Sequence, residues 1–437
     1  LLKRNALDWL ADWKNSSRRK PLILQGARQV GKTWLMKEFA KSEYDDFVYI
    51  SFDQNKDAAN IFAETKEPKQ ILERLGLIRG RSILPEKTLV ILDEIQECPN
   101  ALGSLKYFNE NANEYHVMAA GSLLGTYLAK PMSYPVGKVN LLDVYPLTFD
   151  EYLAAEDAGM GQYYASVKSG DDYVSAFHEK MTDYYKKYLI IGGMPECVSA
   201  WVETRDPAQI GSIQNEIIKI YENDFSKHNG KINSGRILMV FRSIVTQLAK
   251  ENKRFVYNCI KEGARAREFE EAIEWLVSAG MVIRTYNVSK PEHPLNVFAQ
   301  LNHFKLFMFD VGLLKYMAGV NNQMILLKSD YQFKGAITEN YVLQQIRDIF
   351  DVEPKFFSPS AASEIDFIVQ DGGGVIPIEV KGGETVASGS FKGYIEKYKP
   401  KTAIRYSMLG YQKNDRFINI PLYLARKTNQ LILGGGL

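Results

Sequence analysis

The chain has 437 residues and carries 54 Lys and Arg against 52 Asp and Glu, a net charge of +2 that excludes a partner held by overall charge alone. Its 46% hydrophobic and 24% charged residues exclude wholesale disorder, and its length suggests about three domains at roughly 150 residues each. Cys98, Cys197 and Cys259 lie far apart and the five histidines never fall at ligand spacing, so neither a disulfide framework nor a zinc site is expected.

Residues 21–33 read P-L-I-L-Q-G-A-R-Q-V-G-K-T. The apolar run Leu22, Ile23, Leu24 predicts a strand, and Leu35, Met36 and Phe39 predict a helix after the glycine loop. That order suits a phosphate-binding loop, whose glycines let consecutive N–H groups converge on phosphate at a helix N-terminus. The nucleotide-binding candidates are therefore Gly26, Ala27, Arg28, Gln29, Val30, Gly31, Lys32, Thr33 and Trp34. Lys32 is expected to pair with the β- and γ-phosphates and Thr33 to hold Mg²⁺. Thr88 to Glu94 reads as a buried parallel strand ending in two carboxylates. Asp93 is the expected second Mg²⁺ residue, and Glu94 the group that orients the attacking water. Phe47–Phe52 and His116–Ser122 predict two further strands. Ser122 ends the second, where a polar sensor of the γ-phosphate or a helix N-cap would stand.

With these stretches in view, the sequence resembles bacterial and archaeal AAA-type P-loop ATPases that carry a C-terminal domain of unknown function. The resemblance rests on G-A-R-Q-V-G-K-T (26–33), L-D-E-I-Q (92–96), A-G-S (120–122) and Y-P-L-T-F-D-E-Y-L (145–153). It continues through Y-L-I-I-G-G-M-P-E (188–196), F-K-L-F-M-F-D-V-G-L-L (304–314) and I-E-V-K (378–381). It implies an ATP- and Mg²⁺-dependent α/β core with a parallel sheet. Members often have Gly-Arg before the Pro-Leu segment, whereas this chain has Gly137-Lys138, a point charge without the bidentate fork. Arg28, Arg79 and Arg81 are candidates for an arginine that completes a neighbouring subunit's site, undistinguished by spacing.

Residues 151–230 alternate charged and aromatic side chains at helical spacing, as in Tyr184, Tyr185, Tyr188 and Leu189, which predicts a helical lid. Gly192-Gly193-Met194-Pro195 reads as a turn. Further on, Ile237, Val240, Phe241, Ile244 and Leu248 share one helix face, and Phe269, Ile273, Leu276 and Val277 another. Met281–Val288 and Phe304–Phe309 then read as the strands of a wing, so this segment looks like a winged helix. Residues 231–290 hold 11 basic against 6 acidic side chains, which suits phosphate contact. Glu268, Glu270, Glu271 and Glu274 on the candidate recognition helix do not.

Residues 364–369 read E-I-D-F-I-V, and V-I-P-I-E-V-K follows a glycine turn at 371–374. The two runs predict a hairpin in which Asp366 meets Glu379 and Lys381. Thr338-Glu339-Asn340 opens a helix with another acid. This set resembles the PD-(D/E)xK nuclease-like fold, which implies that Asp366 and Glu379 hold Mg²⁺, that Glu339 completes the acidic site and that Lys381 orients the water or stabilises the developing charge. The tripeptide E-x-K itself says little, since it begins at Glu64, Glu67, Glu251, Glu353 and Glu379.

The expected architecture is α/β: an AAA-type ATPase core over 1–150, a helical lid over 151–230, a winged-helix-like domain over 231–325 and a restriction-endonuclease-like α/β domain over 326–437. The expected activity is Mg²⁺-dependent ATP hydrolysis coupled to movement of the later domains, with DNA or a protein as partner and a homo-oligomer in view. The alternatives are an ATP-gated switch that does not hydrolyse, and an ATP-regulated metal-dependent nuclease. No apolar run approaches the roughly 18 residues of a membrane helix and the first 20 residues show no signal-peptide pattern, so a cytoplasmic protein without a membrane partner is expected.

Overall fold

The structure is a computed structural model and describes residues 2–121, 135, 137–228, 230–251, 253–327, 331–360, 363–383 and 389–433. The chain forms two compact units: residues 3–145 with 275–281, and residues 146–274 with 282–437 and the first two residues. Among the described residues, no helix is long and apolar enough to cross a membrane.

The first unit starts with α1 (Ala6–Asn15), β1 (Leu22–Gln25), α2 (Lys32–Glu43) and β2 (Asp46–Ser51). It continues with α3 (Lys56–Glu64), α4 (Pro68–Arg79), β3 (Thr88–Asp93), α5 (Pro99–Asn111), β4 (Val117–Ala120) and β5 (Asn140–Asp143). The five strands run in the order β2-β3-β4-β1-β5, and every pairing is parallel. A parallel sheet is covered on both faces, so its central strands must be apolar throughout. All six residues of β3 are buried, as are Leu22, Ile23 and Leu24 of β1. Leu35, Met36 and Phe39 of α2 pack down on the sheet, as their helical spacing predicts.

Trp13, Phe39, Tyr44 and His116 form an aromatic cluster in this unit, with the Tyr44 hydroxyl 2.7 Å from His116 Nδ1. Burial lowers the His116 pKa to about 4, and the nearby Arg19 and Lys14 charges act the same way. The imidazole thus stays neutral in the fold while the unfolded chain takes up a proton near pH 6.5. Stability is full above pH 6.5 and falls as pH drops towards 4, by up to about 3 kcal/mol at ~1.4 kcal/mol per pKa unit. Denaturant unfolding of the full chain at pH 7 and pH 4.5 measures this, and His116→Gln is expected to remove that part of the dependence. An unchanged pH slope in His116→Gln would assign the loss to other groups.

The second unit begins with helices Phe149–Glu156, Ala158–Ser166, His178–Ile191, Pro195–Thr204, Pro207–His228 and Gly230–Leu248. Ile237, Val240, Phe241, Ile244 and Leu248 are buried together, as predicted. A sheet follows, made of β6 (Val282–Val288), β7 (Ala299–Met308), β8 (Lys355–Ser360), β9 (Ser363–Asp371), β10 (Gly374–Val380), β11 (Ile404–Ser407), β12 (Gln412–Lys413) and β13 (Ile418–Pro421). Its order is β12-β13-β11-β10-β9-β8-β6-β7. The hairpin read as a wing, β6 and β7, therefore forms one end of this eight-stranded sheet, joined through Asn287 and Phe356. Gly372 and Gly373, both at positive φ, make the turn between β9 and β10.

A buried polar hub explains three of the recurring stretches. Leu147 N–H donates to the Gly193 carbonyl at 2.6 Å, and Gly193 N–H donates to Asp310 Oδ2 at 2.6 Å. Gln344 Nε2 donates to the Tyr188 hydroxyl at 3.0 Å, while its Oε1 accepts from Val311 N–H at 2.9 Å. A Cβ on Gly192 would stand 2.3 Å from Asp310 Oδ1, and one on Gly193 would stand 2.1 Å from the Leu147 carbonyl oxygen. Asp310 also caps helix Val311–Met317 through Leu313 N–H. Thr148 and Glu151 close a capping box at the start of helix Phe149–Glu156. Residues 145–153, 188–196 and 304–314 are thus tied together by backbone geometry and buried hydrogen bonds, a sufficient physical reason for their composition.

Candidate functional site

The loop after β1 has the backbone that phosphate binding needs. Gly26 sits at φ +139, where a Cβ would stand 2.2 Å from the Val144 carbonyl oxygen, so no side chain fits. Gln29 and Gly31 also take positive φ, and Gly31 leads directly into α2. Lys32 is buried and folded back over the loop, donating to the carbonyls of Gly26 at 2.9 Å and Ala27 at 2.7 Å. Burial lowers its pKa to about 8, opposed by the charges of Glu94 and Asp93. Ala27 and Val30 are buried, Arg28 and Trp34 half-buried, and Gln29 exposed.

The end of β3 meets this loop. Thr33 Oγ1 donates to Asp93 Oδ2 at 2.6 Å, and the same carboxylate oxygen accepts from the Tyr49 hydroxyl at 2.9 Å. Glu94 follows at φ +50, a left-handed turn for a non-glycine residue, with its N–H donating to Asp93 Oδ1 at 3.0 Å. Gln96 Nε2 donates to Glu94 Oε2 at 2.5 Å. A hydroxyl and a carboxylate side by side at the head of a helix are the hard oxygen donors that Mg²⁺ takes, so these residues fit the ion the loop implies.

Two contributors carry no sequence signal of their own. Arg4 is buried and donates to the Val30 carbonyl at 3.0 Å and the Tyr145 carbonyl at 2.7 Å, pinning the loop from the N-terminal side. Tyr49 reads as one more aromatic in a strand. Ser122 lies outside the described residues. Lys138 pairs with Glu110 of α5 at 2.9 Å, and Arg79 and Arg81 both pair with Asp46 at the start of β2.

The structure also brings the four C-terminal candidates together. Phe367 pairs with Ile378 across the β9–β10 hairpin, so Asp366 and Glu379 face each other one position on. Asp366 Oδ2 accepts from Val380 N–H at 2.7 Å, and Lys381 Nζ lies 2.5 Å from Glu379 Oε1. Glu339, buried in helix Lys334–Ile346, supplies the third acid. Two lysines that sequence reasoning missed complete the group. Lys253 pairs with Glu339, and the fully buried Lys305 of β7 pairs with Glu364. Lys305 interrupts the apolar run Phe304–Phe309, a signal that could have been read. Lys253 ends the E-N-K tripeptide at 251–253, which nothing in the sequence distinguishes from the others.

Desolvation pushes the Asp366 carboxyl well above the usual range, and Glu339 and Glu379 push the same way against Lys253 and Lys305. Burial alone would lower Lys253, yet Glu339, Asp366 and Glu364 hold its ammonium above the ordinary lysine value. Among the described residues, no three His, Cys, Asp or Glu side chains are placed to share a metal ion. Here the carboxylates give their oxygens to lysines, so the cluster as it stands does not fit a divalent cation.

Residues 18–153 match the AAA domain family, and residues 182–324 and 334–424 match two families described as domains of unknown function (DUF8612 and DUF4143). No curated protein matches the chain. Among solved structures it is similar to the Walker-type ATPase PABY2304 of Pyrococcus abyssi, at 13% identity and TM-score 0.45 over 72% of this chain and 96% of that one. It is also similar to the ORC1 protein of Aeropyrum pernix in complex with DNA, at 12% identity and TM-score 0.25 over 72% and 91%. AMPPCP-bound DnaA of Aquifex aeolicus gives 13% and 0.27 over 62% and 85%. Loop geometry and the parallel five-stranded sheet agree with the match of residues 18–153 to the AAA domain family.

Proposed function

We propose that this domain binds ATP with Mg²⁺ and hydrolyses it, and that its nucleotide state moves the winged-helix-like and endonuclease-like segments on a nucleic acid or protein partner. The observation that carries the reading is the convergence of Lys32, Thr33, Asp93 and Glu94 where the loop after β1 meets the end of β3. The amides of the loop and the Lys32 ammonium would neutralise the phosphates once Lys32 leaves the Gly26 and Ala27 carbonyls. Thr33 and Asp93 would hold Mg²⁺, which when bound draws charge from the phosphoryl group. Glu94, steadied by Gln96, orients the attacking water and accepts its proton. An oligomer in which a neighbouring copy supplies the completing cation is part of this reading.

Phosphate release by the full chain, titrated with single- and double-stranded DNA and with RNA, tests it. Mg²⁺-dependent turnover that rises with one of these supports hydrolysis coupled to nucleic acid; turnover indifferent to all three points to a protein partner. A second reading, an ATP-gated switch without hydrolysis, is favoured by the Lys138–Glu110 pair, which engages the cation standing where related sequences have arginine. Tight ATP binding with negligible turnover in every arm would select the switch.

A further inference from the structure

The carboxylate cluster of the C-terminal sheet has the acids of a metal centre and the charge balance of something else. Glu339, Glu364, Asp366 and Glu379 come from one helix and two strands, and all but Asp366 pair with a lysine. Lys253 pairs with Glu339, Lys305 with Glu364 and Lys381 with Glu379, while Arg405 is the register partner of Glu379 on β11. Four cations therefore stand among four acids, one of which, Asp366, burial pushes towards its neutral form, so a divalent ion entering the group would find no net negative charge to hold it.

Lys253 is the member that differs in kind. Lys305 and Lys381 stand on β7 and directly after β10, as parts of the sheet that carries the acids, whereas Lys253 arrives from the connection that follows helix Gly230–Leu248. It reaches the cluster from a left-handed backbone, φ +48, a conformation that costs a non-glycine residue energy. Its ammonium holds Oε1 of Glu339, while Oε2 of the same carboxylate is buried with no hydrogen-bond partner. A buried acceptor oxygen without a donor points to a place built for a cation that contacts both oxygens, and a single ammonium meets only one.

We propose that Lys253 is a built-in cation occupying the position a divalent metal would take, so that the cluster is closed to metal while Lys253 is in place. Lysine and metal compete for the Glu339 carboxylate, and withdrawal of the Lys253 ammonium would open the site.

The test uses nucleotide-free full-length chain and Mn²⁺ alone, read by the electron paramagnetic resonance signal of free Mn²⁺ and by thermal melting. Wild type and Lys253→Arg are expected to take up no Mn²⁺ through the cluster. Lys253→Gln keeps a donor for Glu339 and deletes the charge. It is expected to gain a site at least about tenfold tighter than any in wild type, with a melting temperature raised by Mn²⁺. Adding Glu379→Gln to Lys253→Gln should abolish the gained site. Lys253→Met serves as the second variant if the Gln side chain itself blocks the position. Wild-type Mn²⁺ uptake that disappears in Glu379→Gln would overturn the proposal, whatever the variants do. So would folded Lys253→Gln and Lys253→Met chains that bind Mn²⁺ no better than wild type.

Discussion

Glu94→Gln is expected to leave ATP binding within a few-fold of wild type and to lower phosphate release about 100-fold or more, the usual loss when a positioned general base is removed. The geometry supports the separation of the two effects. The Glu94 carboxylate accepts from Gln96 Nε2 and its N–H donates to Asp93 Oδ1, whereas Lys32 donates to the carbonyls of Gly26 and Ala27 and Thr33 to Asp93. Glutamine is nearly isosteric and its carbonyl oxygen can still accept from Gln96, so the left-handed turn at 94 should survive. What it loses is the capacity to take a proton from water. Equilibrium binding of ATP and single-turnover phosphate release, measured on the same preparation, read the two quantities apart. Unchanged release would remove Glu94 from the hydrolytic step, and a matching fall in affinity would make it a binding residue instead.

The loop geometry of the candidate nucleotide site was legible because its parts are close in sequence. Gly26 to Thr33 are consecutive, and a loop that must turn at positive φ and then start a helix leaves glycines at fixed places. Asp93 and Glu94 were legible because an apolar run that ends in acids marks the tip of a buried strand. The β9–β10 hairpin could be read for the same reason: Gly372 and Gly373 close it, and a side-chain period of two then puts Asp366 across from Glu379.

What could not be read is whatever depends on distant partners. Alternation in β6 and β7 predicts a hairpin but not its neighbour, and a single pairing at Asn287 and Phe356 turns a wing into the end of an eight-stranded sheet. Lys253 and Arg4 are ordinary surface residues by type; only the fold shows one among carboxylates and the other clamping the loop after β1. Gly192 and Gly193 could be read as a turn, and Gly192 does stand at positive φ, but their steric requirement is set by Asp310 and Leu147, more than a hundred and about forty-five residues from Gly192.

Lys32→Ala should show two opposite effects, and their combination is diagnostic. ATP affinity is expected to fall about 10- to 100-fold, since a charge-assisted contact to phosphate contributes roughly 1.5–3 kcal/mol and each ~1.4 kcal/mol is tenfold. Without nucleotide, the same substitution should strengthen the fold. Burial holds the Lys32 pKa at about 8, against 10.5 for an ordinary lysine, so the folded state carries its ammonium at a disadvantage. The sign follows from proton uptake: between pH 8 and 10.5 the unfolded chain binds the proton and the folded chain does not. Wild-type stability therefore rises across that window, by up to about 3 kcal/mol less the two carbonyl hydrogen bonds, and Lys32→Ala gains that amount at pH 7 and loses the slope. Native-state hydrogen exchange of the β1 and β3 amides in the full chain, at pH 7 and pH 9.5, measures both. A stabilised domain that no longer holds ATP identifies Lys32 as a residue kept for ligand at the expense of the fold. If affinity falls and the fold weakens as well, the lysine's main task is instead to tie down the carbonyls of Gly26 and Ala27.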